Sequence, residues 1–288
     1  MQPQLIHTDT VFMTGSDDAR RQHQADLERL YSKNQIMPRI RGEFEEADFN
    51  WKAIEETGVD SDFALDLLTQ MALHKRCNLP TLVGILRKHF EPSVEASQLA
   101  ADMLSKTVDI GLVDWSATLK MFIVKFTITE DVQRDIDRFQ YPLPMVVPPQ
   151  MVNDNHDTGY FTSRNSLILR KNHHDGDICL DHINRVNAVR FKIDHDTARM
   201  VKNRWRNLDR PKQGETKLDF DKRVKAFEKY DRTAKDVITK ILEHGNEFYL
   251  THKYDKRGRV YCQGYHVNYQ GAPWNKAVIE LADKELVE

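Results

Sequence analysis

Between Phe248 and Lys276 the chain reads FYLTHKYDKRGRVYCQGYHVNYQGAPWNK, and Asp255-Lys256-Arg257-Gly258-Arg259 at its centre leaves the backbone few options. Phe248-Tyr249-Leu250 and Val260-Tyr261 have the aromatic and β-branched composition of short strands, and Gly258 supplies the freedom that a tight reversal between them requires. Such a turn projects Lys256, Arg257 and Arg259 from a rigid base. Asp255 is placed to cap the turn and to fix one guanidinium in a bidentate pair, with the remaining Arg donors aimed at an acidic ligand. Phosphate suits them, because Arg presents a planar fork that matches its oxygens. A solvated basic hairpin satisfies the same five residues, so the pattern has to be read with its surroundings.

Those surroundings are unevenly charged. The chain of 288 residues carries 42 Lys and Arg against 44 Asp and Glu, a formal net charge of -2, yet from Arg199 to Arg259 the count is 18 to 10, a local +8. A positive surface of that kind binds phosphates and releases counterions whatever the total charge, although a solvated helix face has the same composition. With 40% hydrophobic residues the chain can bury a core, and its length fits one large domain or two modest ones. No apolar run approaches the ~20 residues that span a bilayer, and the opening MQPQLIHTDT lacks the form of a signal peptide, which together point to the cytoplasm. Cys77, Cys179 and Cys262 are odd in number and widely separated, so they support neither a disulfide framework nor a zinc site.

Along the chain, a polar arm to about Thr14 precedes a charged helix from Asp17 to about Tyr31, capped by Ser16. Apolar residues at helical spacing (Phe63, Leu67, Met71, with Leu68 and Ala72 beside them) predict a helix over Asp60 to Arg76, ended by the Asn78-Leu79-Pro80 break. Further helices are expected from Thr81 to Phe90 and from Ser93 to Lys106, the latter with Ser93 as N-cap. His74-Lys75-Arg76 near a helix C-terminus is read as structural. Val108 to Val113 and Leu119 to Thr127 predict a β-hairpin with Trp115 near its tip, and the Pro-rich run from Tyr141 to Pro149 is extended. His173, His174, Asp175, Asp177 and His182 have a spacing that fits no tetrahedral metal site, and are read as a polar loop around Gly176. A long helix is expected from Asp181 to Arg206, and a basic one from Phe220 to His244 ended by Gly245.

The segment Asp255, Gly258, Arg259, Val260, Tyr261, followed by Gln270, Gly271 and Lys276, resembles the phage-type, single-subunit DNA-directed RNA polymerases. One residue more than that family's usual spacing separates Tyr261 from Gln270. The resemblance extends in order through Ala101 to Lys106, Met145 to Pro149, Gly159-Tyr160-Phe161, Leu167 to Arg170 and the basic helix near Lys222 to Leu242, covering roughly Ala100 to Glu288. It implies an α+β, mainly α-helical fold: an N-terminal domain over 1-180 with a hairpin near 108-128, a thumb-like helical pair over 181-246, and the start of a palm over 247-288.

The family's two catalytic aspartates, its His-Asp-Ser turn and its nucleotide-binding Arg-x-x-x-Lys helix fall after this motif and have no counterpart here. His156-Asp157 is followed by Thr158 and lies upstream. The resemblance therefore implies the small, N-terminal subunit of a heterodimeric phage polymerase, inactive alone, acting in the cytoplasm of an infected bacterial host. Its larger partner subunit would supply the aspartates and Mg²⁺, and apolar surface near Ala277, Ile279, Leu281 and Leu286 would pack on that partner. Other implied partners are the DNA template, the RNA transcript and a DNA-opening accessory protein. The implied template and hybrid contacts are Arg259, Arg257, Asp255, Gly258 and Lys276, with no catalytic residue and no metal ligand in this chain. Trp115 is either a wedge at the edge of the transcription bubble or part of a core. The alternative function is a non-catalytic, nucleic-acid-binding transcription regulator derived from such a polymerase.

Overall fold

The computed structural model describes residues 17-30, 33-139 and 141-284, so the expected arm to Thr14, the Ser16 cap, the helix end at Tyr31 and the contact at Leu286 lie outside the described residues. In chain order the helices are α1 (Asp17–Leu30), α2 (Lys33–Glu46), α3 (Trp51–Glu56), α4 (Ser61–His74), α5 (Leu79–Leu86), α6 (Ala96–Asp109), α7 (Glu130–Phe139), α8 (Leu180–Asn187), α9 (His195–Met200), α10 (Lys217–Leu242) and α11 (Pro273–Val278). The strands are β1 (Arg76–Cys77), β2 (Asp114–Ser116), β3 (Met121–Ile123), β4 (Phe191–Ile193), β5 (Glu247–Phe248), β6 (His252–Tyr254), β7 (Val260–Cys262) and β8 (Ile279–Leu281). The result is a mixed fold of helices and small antiparallel sheets. Among the described residues no helix is long and apolar enough to cross a membrane.

These residues form two compact units, one within 31-136 and one within 1-30 together with 137-288. In the first, α4 carries the core. Asp60 caps it by accepting from the Phe63 amide at 2.8 Å, and Phe63, Leu67 and Met71 bury completely against Leu82, Leu86, Ala100 and Leu104. Full burial of each such side chain stabilises the fold by about 1.5–3 kcal/mol. The Asn78-Leu79-Pro80 segment is a start signal and not only a break. Asn78 accepts from the Thr81 amide at 3.0 Å, and Pro80 occupies the first turn of α5, where a missing N–H costs nothing. Helix α4 ends at His74, and Arg76-Cys77 leave it to pair with β3, which seats Cys77 in the core.

The expected hairpin is displaced. Val108 lies in the last turn of α6, which Ile110 and a left-handed Gly111 (φ 74°) terminate, so the first strand begins only at Asp114. Trp115 is consequently not at the tip. It pairs with Phe122 inside the β2-β3 ladder, with ring centroids 4.9 Å apart, and stays 43% exposed.

In the second unit the long helix expected from Asp181 to Arg206 is absent. Phe191 and Ile193 alternate with Lys192 as β4, the central strand of the order β5-β4-β8, and their side chains enter a core with Val237, Ile241 and Phe248. Asp194 then opens a new helix, α9, by accepting from the amides of Asp196 and Thr197. The first helix of the expected pair is thus broken into α8, β4 and α9, while the second is α10, capped by Thr216 and followed by Gly245 at φ 105°. Phe248 pairs with β4, and the strand facing Val260 to Cys262 is His252 to Tyr254.

Candidate nucleic-acid interface

The turn at Asp255 stands on a buried base. Tyr254 at the end of β6 is fully buried with Val152, Leu167 and Ile183, and its hydroxyl donates to Asn155. Two positions back, His252 is buried between Asn187 (Nδ1 to Oδ1, 2.8 Å) and the hydroxyl of Tyr269 (Nε2, 2.9 Å). Burial, reinforced by the charge of His182, lowers its pKa to about 4, so it is neutral near pH 7.

From this base the chain reverses with the Asp255 amide donating to the Arg259 carbonyl at 3.0 Å and the Gly258 amide to the Asp255 carbonyl at 2.9 Å. Gly258 sits at φ 77°, in the left-handed region, with Cys179 Sγ only 3.3 Å from where a Cβ would stand. The Asp255 carboxylate organises the rest. Its Oδ1 accepts from the amides of Arg257 (2.8 Å) and Arg259 (3.1 Å), and its Oδ2 from Arg259 Nε (2.7 Å), Arg259 Nη2 (2.6 Å) and the Tyr261 hydroxyl (3.3 Å). The pair with Arg259 therefore converges on one oxygen, because backbone donors occupy the other. Burial alone would raise the pKa of Asp255. The hydrogen bond from Arg259 and the two backbone N–H groups outweigh it and hold the carboxyl well below the usual carboxylate range.

What this leaves for a ligand is the outer edge of two guanidiniums. The Arg259 side chain is 54% exposed and that of Arg257 64%, and Arg259 Cζ lies 5.8 Å from the Tyr261 ring centre. An aromatic face and a carboxylate fix the orientation of Arg259 while its solvent side stays open, which suits recognition of a phosphate.

The turn is also clamped from the far side of the sequence. Asn172 Oδ1 accepts from the Lys256 amide at 2.9 Å, and His174 Nε2 lies 3.1 Å from the Asp255 carbonyl. The polar loop of His173, His174, Asp175 and Asp177 is therefore part of the turn's support. Among the described residues no three His, Cys, Asp or Glu side chains converge as a metal site.

The other motif residues divide. Gln270 closes the free edge of β7, accepting from the Cys262 amide at 2.9 Å and donating to the Val260 carbonyl at 3.3 Å, as a neighbouring strand would. Gly271 is required sterically, since a Cβ there would lie 2.9 Å from the Asn268 carbonyl oxygen. Lys276 is exposed on α11, and no hydrogen bond or ion pair ties it to the turn among the described residues. Trp115 belongs to the other unit.

Ion pairs absorb much of the basic surface of α10: Lys222 with Asp219, Arg223 with Glu215, Lys229 with Asp137, Lys235 with Asp231, and Lys240 with Glu243. Lys217, Lys225 and Arg232 are exposed and make none among the described residues. Sequence reasoning passed over Lys253, a half-buried lysine between the buried His252 and Tyr254. Its signal was a cation in the middle of an otherwise apolar and aromatic strand.

No protein-family profile matches the chain. Over 166 residues it is 28% identical to a probable DNA-directed RNA polymerase of Gelasinospora sp. (strain G114), covering 51% of this chain and 18% of that one. Over 172 residues it is 26% identical to a probable DNA-directed RNA polymerase of Agaricus bitorquis, covering 50% and 15%. The chain spans less than a fifth of the length of these curated relatives. Their similarity supports a relationship with RNA polymerases.

Proposed function

We propose that this protein is the small subunit of a phage-type, heterodimeric DNA-directed RNA polymerase in the cytoplasm of an infected bacterium. In this reading it supplies contacts to the template and the RNA:DNA hybrid while a larger partner performs nucleotidyl transfer. The observation that carries the reading is the Asp255 turn, where a buried carboxylate holds Arg259 by side chain and backbone together and leaves its outer edge open. The partial similarity to two probable RNA polymerases supports the same class. Residues 1-180 would form the N-terminal domain, 181-246 a reduced helical thumb, and 247-288 the beginning of the palm.

Asp255 is committed to the donors of its own turn, and in this reading, as the family resemblance implies, Mg²⁺ and the aspartates that bind it belong to the partner. Mg²⁺ there would activate the RNA 3′ hydroxyl and neutralise charge on the departing pyrophosphate. This chain's residues act by position: Arg259 and Arg257 on a template phosphate, Lys276 on a neighbouring one, and Asp255 by orienting the arginines. The test is primer extension on an RNA:DNA scaffold with Mg²⁺, using this chain, the larger chain and both. Extension by the mixture alone is expected. Full extension by the larger chain alone would reduce this protein to an accessory binder of the regulator type.

A further inference from the structure

Beside the Asp255 turn lies a cleft of about 710 Å³, walled by the loop from Asp154 to Asp177 and floored by Lys253 of β6. The cleft is built, not incidental. Leu167 is fully buried, its amide donates to the Asn155 carbonyl at 2.7 Å and its carbonyl accepts from Tyr254 at 3.1 Å, while the Leu169 amide donates back to Tyr254 at 2.9 Å. Asn155 pins the opposite lip, its amide donating to Asp177 Oδ1 at 2.8 Å and its side chain to the Gly176 carbonyl at 3.0 Å.

Three aspartates and three cations line the cleft. Asp154 faces Arg164 at 3.8 Å, Asp175 faces His173 at 2.9 Å, and Asp177 is held by the Asn155 amide. The cations Arg170, Lys171 and Lys253 have no ion-pair partner among the described residues, although all three line the cleft. Lys253 is half-buried, and burial lowers its pKa, so its ammonium is short of both water and counter-charge. Lys171 is held at φ 68°, a conformation that a lysine rarely adopts and that fixes where its side chain leaves the backbone. Ser166, Asn165 and Asn172 add neutral polar groups to the walls.

We propose that this cleft is a second nucleic-acid site, taking one phosphate and its nucleoside from a single strand that also passes the Asp255 turn. Lys253 meets the phosphate at the floor, with Arg170 and Lys171 at the rim. The volume admits one nucleotide unit, and the shared clamp of Asn172 on Lys256 and His174 on Asp255 sets cleft and turn in fixed relation. This inference rests on the polymerase reading but concerns different residues, so the two fail separately.

Fluorescence anisotropy of the full chain with labelled single-stranded RNA and DNA octamers provides the test, with AMP and inorganic phosphate as competitors. Lys253→Gln and, independently, the exposed Arg170→Gln are each expected to weaken both octamers roughly tenfold and to lower the salt dependence of binding by about one counterion. AMP is expected to compete better than inorganic phosphate, because the walls hold a nucleoside as well. Wild-type affinity in both variants, with weakening in Arg259→Ala, would overturn the cleft proposal and leave the polymerase reading standing. Absence of binding by the wild-type chain would overturn the cleft proposal, while the polymerase reading stands or falls on primer extension by the reconstituted pair.

Discussion

Two hairpins of equal length behave differently in this molecule. Both β2-β3 and β6-β7 are ladders of three residue pairs. In the first the connection at 117-120 is held, among the described residues, by the Ser116 hydroxyl accepting from the Leu119 amide at 3.3 Å, and Leu119 is 52% exposed. In the second a single buried carboxylate accepts from two backbone amides, a guanidinium and a phenol. A hairpin becomes a platform for charged side chains when its turn is anchored from beneath. Trp115, on the unanchored hairpin, instead leans on Phe122 across the ladder.

The comparison breaks most visibly at Asp255. Asp255→Asn keeps an acceptor for the backbone amides of Arg257 and Arg259 but loses the charge that orients Arg259. A loss of about a hundredfold in template-dependent extension by the reconstituted pair is expected, the scale seen when a positioning group is misplaced by an ångström. Extension within twofold of wild type would show that Arg259 needs no such anchor.

Acid sharpens the same contrast. His252 and His266 are buried with pKa values lowered to about 4, chiefly by burial. An unfolded chain takes up protons near pH 6.5 that the folded chain refuses, so the stability they contribute is complete above that value and falls as the pH drops through about 4. The depressed carboxyl of Asp255 adds stability that is present above its unfolded value, near 4, and is lost only below it. Amide hydrogen exchange at pH 7 and pH 5 is expected to show residues 252-262 losing protection while 114-123 hold theirs. Equal loss in both hairpins would contradict the assignment of the neutral, buried His252 to the second of them.

The smallest effect is reserved for Trp115→Ala. An exposed Trp that makes one edge-on aromatic contact should cost about 1 kcal/mol of stability, read as a fall of a few degrees in Tm, with extension on an open scaffold unchanged. Reduced extension on a duplex with a closed upstream edge, and on no other template, would instead favour the wedge reading.

Local signals made the candidate site largely legible in the sequence. Gly258 announced a tight turn, Asp255 a cap, and the Arg residues beside them the chemistry. Helix α10 was legible for similar reasons, from its periodicity and from Gly245 at its end. Strand β4 was not, because its side chains are buried against Val237, Ile241 and Phe248 and its backbone pairs with β5 and β8, all far along the chain. Within the sequence alone, Val189, Ile193 and Met200 read as helical spacing. Gly111 was the signal that α6 runs through Val108, and it was overlooked in favour of the β-branched residues around it. The clamp of Asn172 and His174 on the turn has no local signature at all, since it joins segments some eighty residues apart.

The central claim is that Asp255 acts through Arg259, and a double-mutant cycle tests it directly. Template-dependent extension would be measured for Asp255→Asn, Arg259→Ala and the double variant, each reconstituted with the larger chain. If the carboxylate serves to position the guanidinium, the double variant should match Arg259→Ala within about 0.5 kcal/mol of activation free energy. Fully additive losses would mean that the two residues act independently, and the anchored-turn account of template binding would be wrong.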